Sequence, residues 1–329
     1  MSSWTRPLIG VGSVPLHENH SRAVMFVCDR DDDGSLQPIG TAFMVGEPTP
    51  DGGWFKYFVT AAHVVRDRPQ TWIRLRREKG LPEDKEVGRW VFHQDQDVAI
   101  TPCDLDLSGF VWAFQAEEHF ADTWHNKIPI RLGEAAYFMG LFAHVDTMAD
   151  RAIPMMRGGC VGALYQERIA MRDGDHLREE RYAHLIDCYS RSGFSGSPVF
   201  IDHPIVNLEI NESTELPAAR MSSLVALLGI LIGHFGSIGD NAGVAVVAPV
   251  EVIRDLFRDE EIKQWKERNL RDIQKTRDLR REEGAASPDS IPGTVEFDRF
   301  EDLTRKLVQT PKPKPENDLG DHGSNGAES

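Results

Sequence analysis

Between about residue 22 and residue 250 the chain is a succession of short apolar runs separated by turns. "RAVMFVC", "IGTAFMVG", "WFKYFVT", "TWIRLR", "RWVFH" and "DVAITPC" come first; "AAYFMGLF", "CVGALYQ", "YAHLIDC", "SPVFI", "LVALLGILIGHFG" and "GVAVVAP" follow. The runs are rich in Val, Ile, Phe and Tyr, with glycine, proline or charge clusters between them. That pattern predicts an all-β sandwich or barrel rather than alternating β-α units. About a dozen strands are too many for one small barrel. The expected division is two packed six-stranded antiparallel barrels, over 22–120 and 121–250, preceded by an N-terminal arm over 1–21. The stretch 109–129 reads as the crossing between them, and 202–223 as an irregular surface insertion.

After Pro249 the period changes. "PVEVIRDLFRDEEIKQWKERNLRDIQKTRDLRREE" opens on proline, places Val252, Leu256 and Phe257 at helical spacing and carries many charge pairs four residues apart. One long helix is expected over 251–283, its first turns packed on the barrel. Beyond Gly284 proline, serine, glycine and charge predominate, which predicts a disordered tail over 284–329. Within it "FDRFEDLTRKLVQ" (297–309) could form a short amphipathic helix able to dock a regulatory partner.

Composition narrows the function. With 52 acidic against 37 basic residues the net charge is −15, which argues against nucleic-acid binding. The most basic run, "RDRPQTWIRLRREKG", alternates around Trp72, Ile73 and Leu75 and reads as a strand with a solvated face. Four cysteines are scattered without a C-x-x-C pair, which removes the usual zinc spacing and a dense disulfide framework. The first twenty residues lack the cationic start of a signal peptide, and "LVALLGILIG" is too short to span a membrane. The expected setting is cytoplasmic, with no membrane partner. No glycine-rich phosphate loop and no carboxylate–histidine cluster at metal spacing occurs, so no cofactor is expected.

Three polar residues stand out against the apolar runs. "YFVTAAHVV" places His63 just after a strand behind two alanines, where an imidazole can stand clear in a cleft. "HQDQDVAI" places Asp97 at the head of an apolar strand, half-buried and in need of a donor such as an imidazole N–H. Asp95, among polar neighbours, is expected to stay in water. "SRSGFSGSPVF" frames Ser195 with Gly193 and Gly196, and glycine at 193 frees the backbone to aim its N–H, with that of Ser195, at a common point. Peptide hydrolysis by serine requires a hydroxyl, a base, an orienting carboxylate and an anion site of this kind.

In that order, in an all-β chain, these residues resemble the chymotrypsin-fold serine peptidases, in particular the bacterial trypsin-like branch that includes the Deg/HtrA proteases and the glutamyl endopeptidases. The likeness spans about 22–258 and rests on "GTAFMV", "FVTAAHVV", "DVAI", "AAYFMG", "LIDCYSRSGFSGSPVF", "GILIGHFG" and "GVAVVAPVEVI". It implies a serine endopeptidase acting on protein or peptide substrates. His63 would be the base, Asp97 its orienter and Ser195 the nucleophile, with the N–H groups of Gly193 and Ser195 as the oxyanion hole. It also implies a specificity pocket walled by Tyr189, Ser190, His234 and Gly236. Tyr189 supplies no counter-charge for Lys or Arg, whereas His234 with Ser190 could hold a Glu or Gln side chain. Phe194 departs from the family's Asp or Asn and cannot form the ion pair by which secreted zymogens are activated. Ser197 stands where Gly is commoner, and no PDZ-like segment follows the barrels.

Two rival readings differ in class. An α/β-hydrolase would want Gly-x-Ser-x-Gly and triad partners after the serine within β-α units, and this chain has neither. A catalytically inactive, protease-like binding or scaffold protein would keep the barrels and lose the chemistry.

Overall fold

The computed structural model describes residues 18–50, 52–77, 81–105, 113–125, 129–142, 150–165, 168–173, 176–189, 193–210, 217–237 and 240–284. The chain divides into two compact units, Met1–Asn269 and Leu270–Ser329. The described part of the second is helical as far as Gly284. The expected docking helix at 297–309 and the rest of the tail lie outside the described residues, as does most of the N-terminal arm.

The first half of unit one is a single sheet. Its strands are β1 (Val24–Arg30), β2 (Leu36–Pro48), β3 (Trp54–Ala61), β4 (Thr71–Leu75), β5 (Glu83–Val87), β6 (Val91–Phe92), β7 (Val98–Pro102) and β8 (Phe114–Gln115). They run in the order β5-β4-β1-β2-β3-β7-β6, with β8 added parallel to β2. The central strands are buried on both faces, as Val24–Cys28, Ala42–Val45 and Val98–Ile100 illustrate. That is why they read as unbroken apolar runs rather than alternating ones. The expectation of a closed first barrel is not met, because the sheet is open. Its edges explain this: β5 is the charged sequence EDKEV and β6 has only two residues, so neither offers a long apolar ladder to the other.

The second half does close. β9 (Ala135–Gly140), β10 (Met155–Ala163), β13 (His184–Asp187), β14 (Pro198–Ile210), β15 (Pro217–Ser237) and β16 (Asp240–Pro249) form a barrel in the order β10-β13-β16-β15-β14-β9. Phe138, Val161, Ile186, Val199, Leu228, Leu231 and Val247 fill its core. Between β10 and β13 the chain makes a separate two-stranded sheet, β11 (Arg168–Asp173) with β12 (His176–Tyr182). Of the segment expected as an irregular insertion, 202–223, residues 202–210 and 217–223 are strand instead. β14 and β15 stay paired from Pro198↔Ile230 out to Ile210↔Pro217. Ladder hydrogen bonds continue through it although its composition resembles a loop.

Helices join the halves. α1 (Glu18–Arg22) brings the His20 ring onto Phe114 of β8, centroids 5.8 Å apart, and edge-on to Phe200 of β14 at 5.9 Å. α2 (Ala62–Val65) follows β3, and α3 (Ala116–His119) and α4 (Ala121–His125) lie in the expected crossing. The helix expected as one piece is two, α5 (Glu251–Phe257) and α6 (Glu260–Gly284). Asp259 makes the break: its side chain accepts from the Glu261 N–H at 2.8 Å and so caps a new helix. α5 buries Val252, Ile253, Leu256 and Phe257, and the Phe257 ring meets Tyr57 at 4.9 Å and Phe120 at 6.4 Å. No described helix is long and apolar enough to cross a membrane.

Phe257 therefore ties α5 to both the sheet and the crossing segment. Phe257→Ala is expected to cost about 3–5 kcal/mol of unfolding free energy, read by chemical denaturation. A loss under ~1 kcal/mol would mean the ring is dispensable to the packing.

Candidate active site

Strand pairing brings the first two polar residues together. β3 and β7 are antiparallel with Ala61 opposite Val98, so the residue after β3 meets the residue before β7. The Ala62 N–H donates to the Asp97 carbonyl at 3.0 Å, and the His63 N–H donates to Asp97 Oδ1 at 2.9 Å. The His63 ring closes the pair, with Nδ1 2.5 Å from Asp97 Oδ2. The imidazole is 48% exposed while the carboxylate is only 12% exposed. One group is open to a reactant and the other is sealed behind it. Asp95, by contrast, is exposed, and its N–H donates to His93 Nδ1 at 3.1 Å.

Asp97 is held ionised. Burial alone would raise its pKa. The His63 ring hydrogen bond and charge, the Arg181 guanidinium at 3.8 Å and the His63 N–H together outweigh that and keep the carboxyl below its ordinary range. A carboxylate in this state fixes the ring with Nδ1 protonated and leaves Nε2 as the free basic nitrogen.

Ser195 sits on a tight turn in which the Phe194 carbonyl accepts from the Ser197 N–H at 2.9 Å. Gly193 and Gly196 have φ of +96° and +88°, a region that side-chain-bearing residues rarely enter. At Gly196 the space forbids a side chain as well. A Cβ would lie 2.0 Å from the Thr41 carbonyl oxygen, 2.4 Å from the Thr60 hydroxyl and 3.1 Å from the Ala61 nitrogen. The serine turn thus backs directly onto the end of β3, from which His63 departs.

Thr41, in the middle of β2, fastens that approach and is fully buried. Its N–H donates to the Ser195 carbonyl at 2.9 Å, and its hydroxyl donates to the Gly193 carbonyl at 2.8 Å. The same hydroxyl accepts from the Leu141 N–H at 2.8 Å, and its carbonyl accepts from Thr60 Oγ1 at 2.6 Å. On the barrel side Gly196 N–H donates to the Leu231 carbonyl at 2.8 Å. Phe194 points into the barrel core, fully buried, edge-on to Phe138 at 5.2 Å and tilted against Phe142 at 6.1 Å. The aromatic ring anchors by packing a loop whose usual support is an acidic or amide side chain.

Among the described residues no hydrogen bond joins the Ser195 hydroxyl to the His63 ring. Neither the Gly193 nor the Ser195 N–H is taken by another described group. Of the expected pocket residues, Tyr189 is exposed and its ring faces Gly243 on β16. His234 is exposed on β15 opposite Ala245, and Gly236 pairs with Asn241. Ser190 lies outside the described residues. No group of His, Cys, Asp and Glu among the described residues is arranged to hold a metal ion.

Two residues at this site escaped sequence reasoning. Thr41 left a faint trace, a lone hydroxyl inside the apolar run "IGTAFMV". Arg181 left none, since it sits in the charged run "REERY" where any of several residues could have faced the site.

Comparison with known proteins gives a family for part of the chain. Residues 40–203, which include His63, Asp97 and Ser195, match the family described as the trypsin-like peptidase domain. No curated protein matches the chain. Among solved structures, the MamO protease domain from Magnetospirillum magneticum is 16% identical over 74% of this chain and 100% of its own, with a TM-score of 0.48. The HtrA-type protease AlgW with a decapeptide is 14% identical over 73% of this chain and 65% of its own, TM-score 0.45. The inactive form of the Rv3671c protease, from M. tuberculosis, is 16% identical over 73% and 89%, TM-score 0.42. By the family match, residues 40–203 of this chain form a domain of the trypsin-like peptidase family.

Proposed function

We propose that the protein is a serine endopeptidase in which Ser195 attacks the scissile carbonyl, His63 takes its proton and Asp97 orients the imidazole. The observation that carries this reading is the sealed Asp97 carboxylate. It accepts both the ring and the backbone N–H of an exposed His63, beside the turn that bears Ser195. The hydroxyl reaches Nε2 by side-chain rotation when substrate fills the cleft, since catalytic hydrogen bonds commonly tighten only in the complex. The proton then passes from His63 to the leaving amine, and water repeats the sequence on the acyl-enzyme. The N–H groups of Gly193 and Ser195 receive the oxyanion. Phe194 keeps their loop in place by packing, so no new N-terminus is required to order it.

For the bond cleaved, we infer a preference for Glu, then Gln, before the scissile bond. An imidazole at His234 can donate to a carboxylate or an amide, and Tyr189 supplies no anion to attract Lys or Arg. A protein or peptide is the substrate, and the reaction as written uses no cofactor. A cytoplasmic setting fits an enzyme restrained by narrow specificity.

A fluorophosphonate probe is expected to label the full chain at a single serine. Ser195→Ala should abolish labelling, and Asp97→Asn should slow it by about 10³–10⁴-fold. An unlabelled wild-type chain would instead favour the scaffold reading. Thr41→Val should leave the Gly193 carbonyl and the Leu141 N–H buried without a partner, costing about 1–3 kcal/mol each in chemical denaturation. Its labelling in the folded state should be slowed, and Thr41→Ser should restore both. In a peptide panel varied only before the cleaved bond, His234→Ala should cut turnover of Glu and Gln peptides by about 10–100-fold. An unchanged preference would remove His234 from the pocket.

A further inference from the structure

The hairpin β11–β12 leaves the barrel between β10 and β13 and forms a two-stranded sheet of its own. Its second strand returns past the loop that carries Asp97. There Gln96 Nε2 donates to the Tyr182 carbonyl at 3.2 Å. One residue earlier, the Arg181 guanidinium stands 3.8 Å from Asp97 Oδ2, the same oxygen that the His63 ring takes. Arg181 is only 17% exposed, so solvent screens this charge weakly. Two cations in the protonated state therefore share one carboxylate oxygen, and they approach it from different parts of the fold.

We propose that Arg181 is a positioning residue that weakens the hold of His63 on its proton by sharing Asp97 Oδ2, so that the docked hairpin sets the pH range in which the ring works as a base. The inference rests on the peptidase reading above and deepens it. The physics has one sign throughout. A protonated imidazole is stabilised by the Asp97 charge, and a guanidinium at the same oxygen offsets part of that charge. It also repels the imidazolium directly. Arginine cannot relieve this by losing its own proton, since it stays charged at every working pH. The groups facing Asp97 are the His63 ring and N–H from α2 and Arg181 from β12. Asp95 and His93 of the Asp97 loop, Glu180 of the hairpin and Asp255 of α5 line the adjoining cleft. Arg181 lines that cleft with them, and among the described residues none of them is bonded to Asp97.

The docking is of a kind that can vary. Gln96 ties the Asp97 loop to the hairpin at the Tyr182 carbonyl, and Arg168 braces Tyr182 from within the hairpin, 5.3 Å over its ring. A two-stranded sheet alone is marginal in water, so its position depends on such contacts.

The test uses the full chain as wild type, Arg181→Gln and Arg181→Lys. The His63 ring is followed by NMR, its resonance assigned by loss in His63→Ala, alongside fluorophosphonate labelling of Ser195 against pH. In Arg181→Gln the ring titration and the acid limb of labelling should both move to higher pH, by about half a pH unit. Labelling below that limb should accordingly slow about threefold. Arg181→Lys, which keeps a cation at Asp97, should return the curves toward wild type. Superimposable ring titrations for wild type and Arg181→Gln would overturn the proposal. So would equal shifts in Arg181→Gln and Arg181→Lys, which would make the effect one of hairpin structure rather than charge. A shifted ring titration without any labelling would keep the coupling and sink the peptidase reading.

Discussion

The backbone of Thr41 and the turn at Ser195 approach so closely that no side chain fits between them. That contact organises the molecule. Gly196 meets the Thr41 carbonyl where a Cβ would be 2.0 Å away, and Thr41 donates hydrogen bonds to Gly193 and Ser195 and accepts them from Leu141 and Thr60. One buried residue thereby ties β2 of the open sheet to the serine turn, to the end of β9 in the barrel and to β3. Buried polar groups without partners are costly, so the network is stable only when all four partners are in place. The relative position of His63 and Ser195 follows from it, since β3 leads directly into α2.

Around that contact the two halves solve different problems. The barrel closes and fills itself with side chains, Phe194 among them, so the serine turn is anchored in a packed core. The sheet of β1–β8 stays open, its edges blunted by charge and shortness. The histidine and its carboxylate sit on this less enclosed half, where a charged neighbour such as Arg181 can approach. An aromatic anchor on one side and an adjustable electrostatic contact on the other divide rigidity from tuning.

Asp97 shows why burial and charge must be weighed together. Sealing a carboxylate opposes its ionisation. Two donors from His63 and a guanidinium nearby reverse the balance, so the group is both dry and charged. In that state its field acts at short range on the ring and is little screened by salt.

The apolar runs, the change of period at Pro249 and the residues His63, Asp97, Gly193 and Ser195 were legible in the chain, because burial and turn chemistry leave local marks. A glycine pair around a serine, or a carboxylate heading an apolar strand, is visible without a structure. Closure was not legible: whether a sheet curls shut depends on which edges find each other, and β5 and β6 carry too little apolar ladder to do so. Nor were the paired strands of 202–223, where main-chain hydrogen bonds that any sequence can make override a loop-like composition. Thr41 and Arg181 act through partners distant in sequence, Gly193 and Asp97 among them. Which hydroxyl or guanidinium meets them was decided by strand order and register alone, since in the sequence each is one polar residue among many.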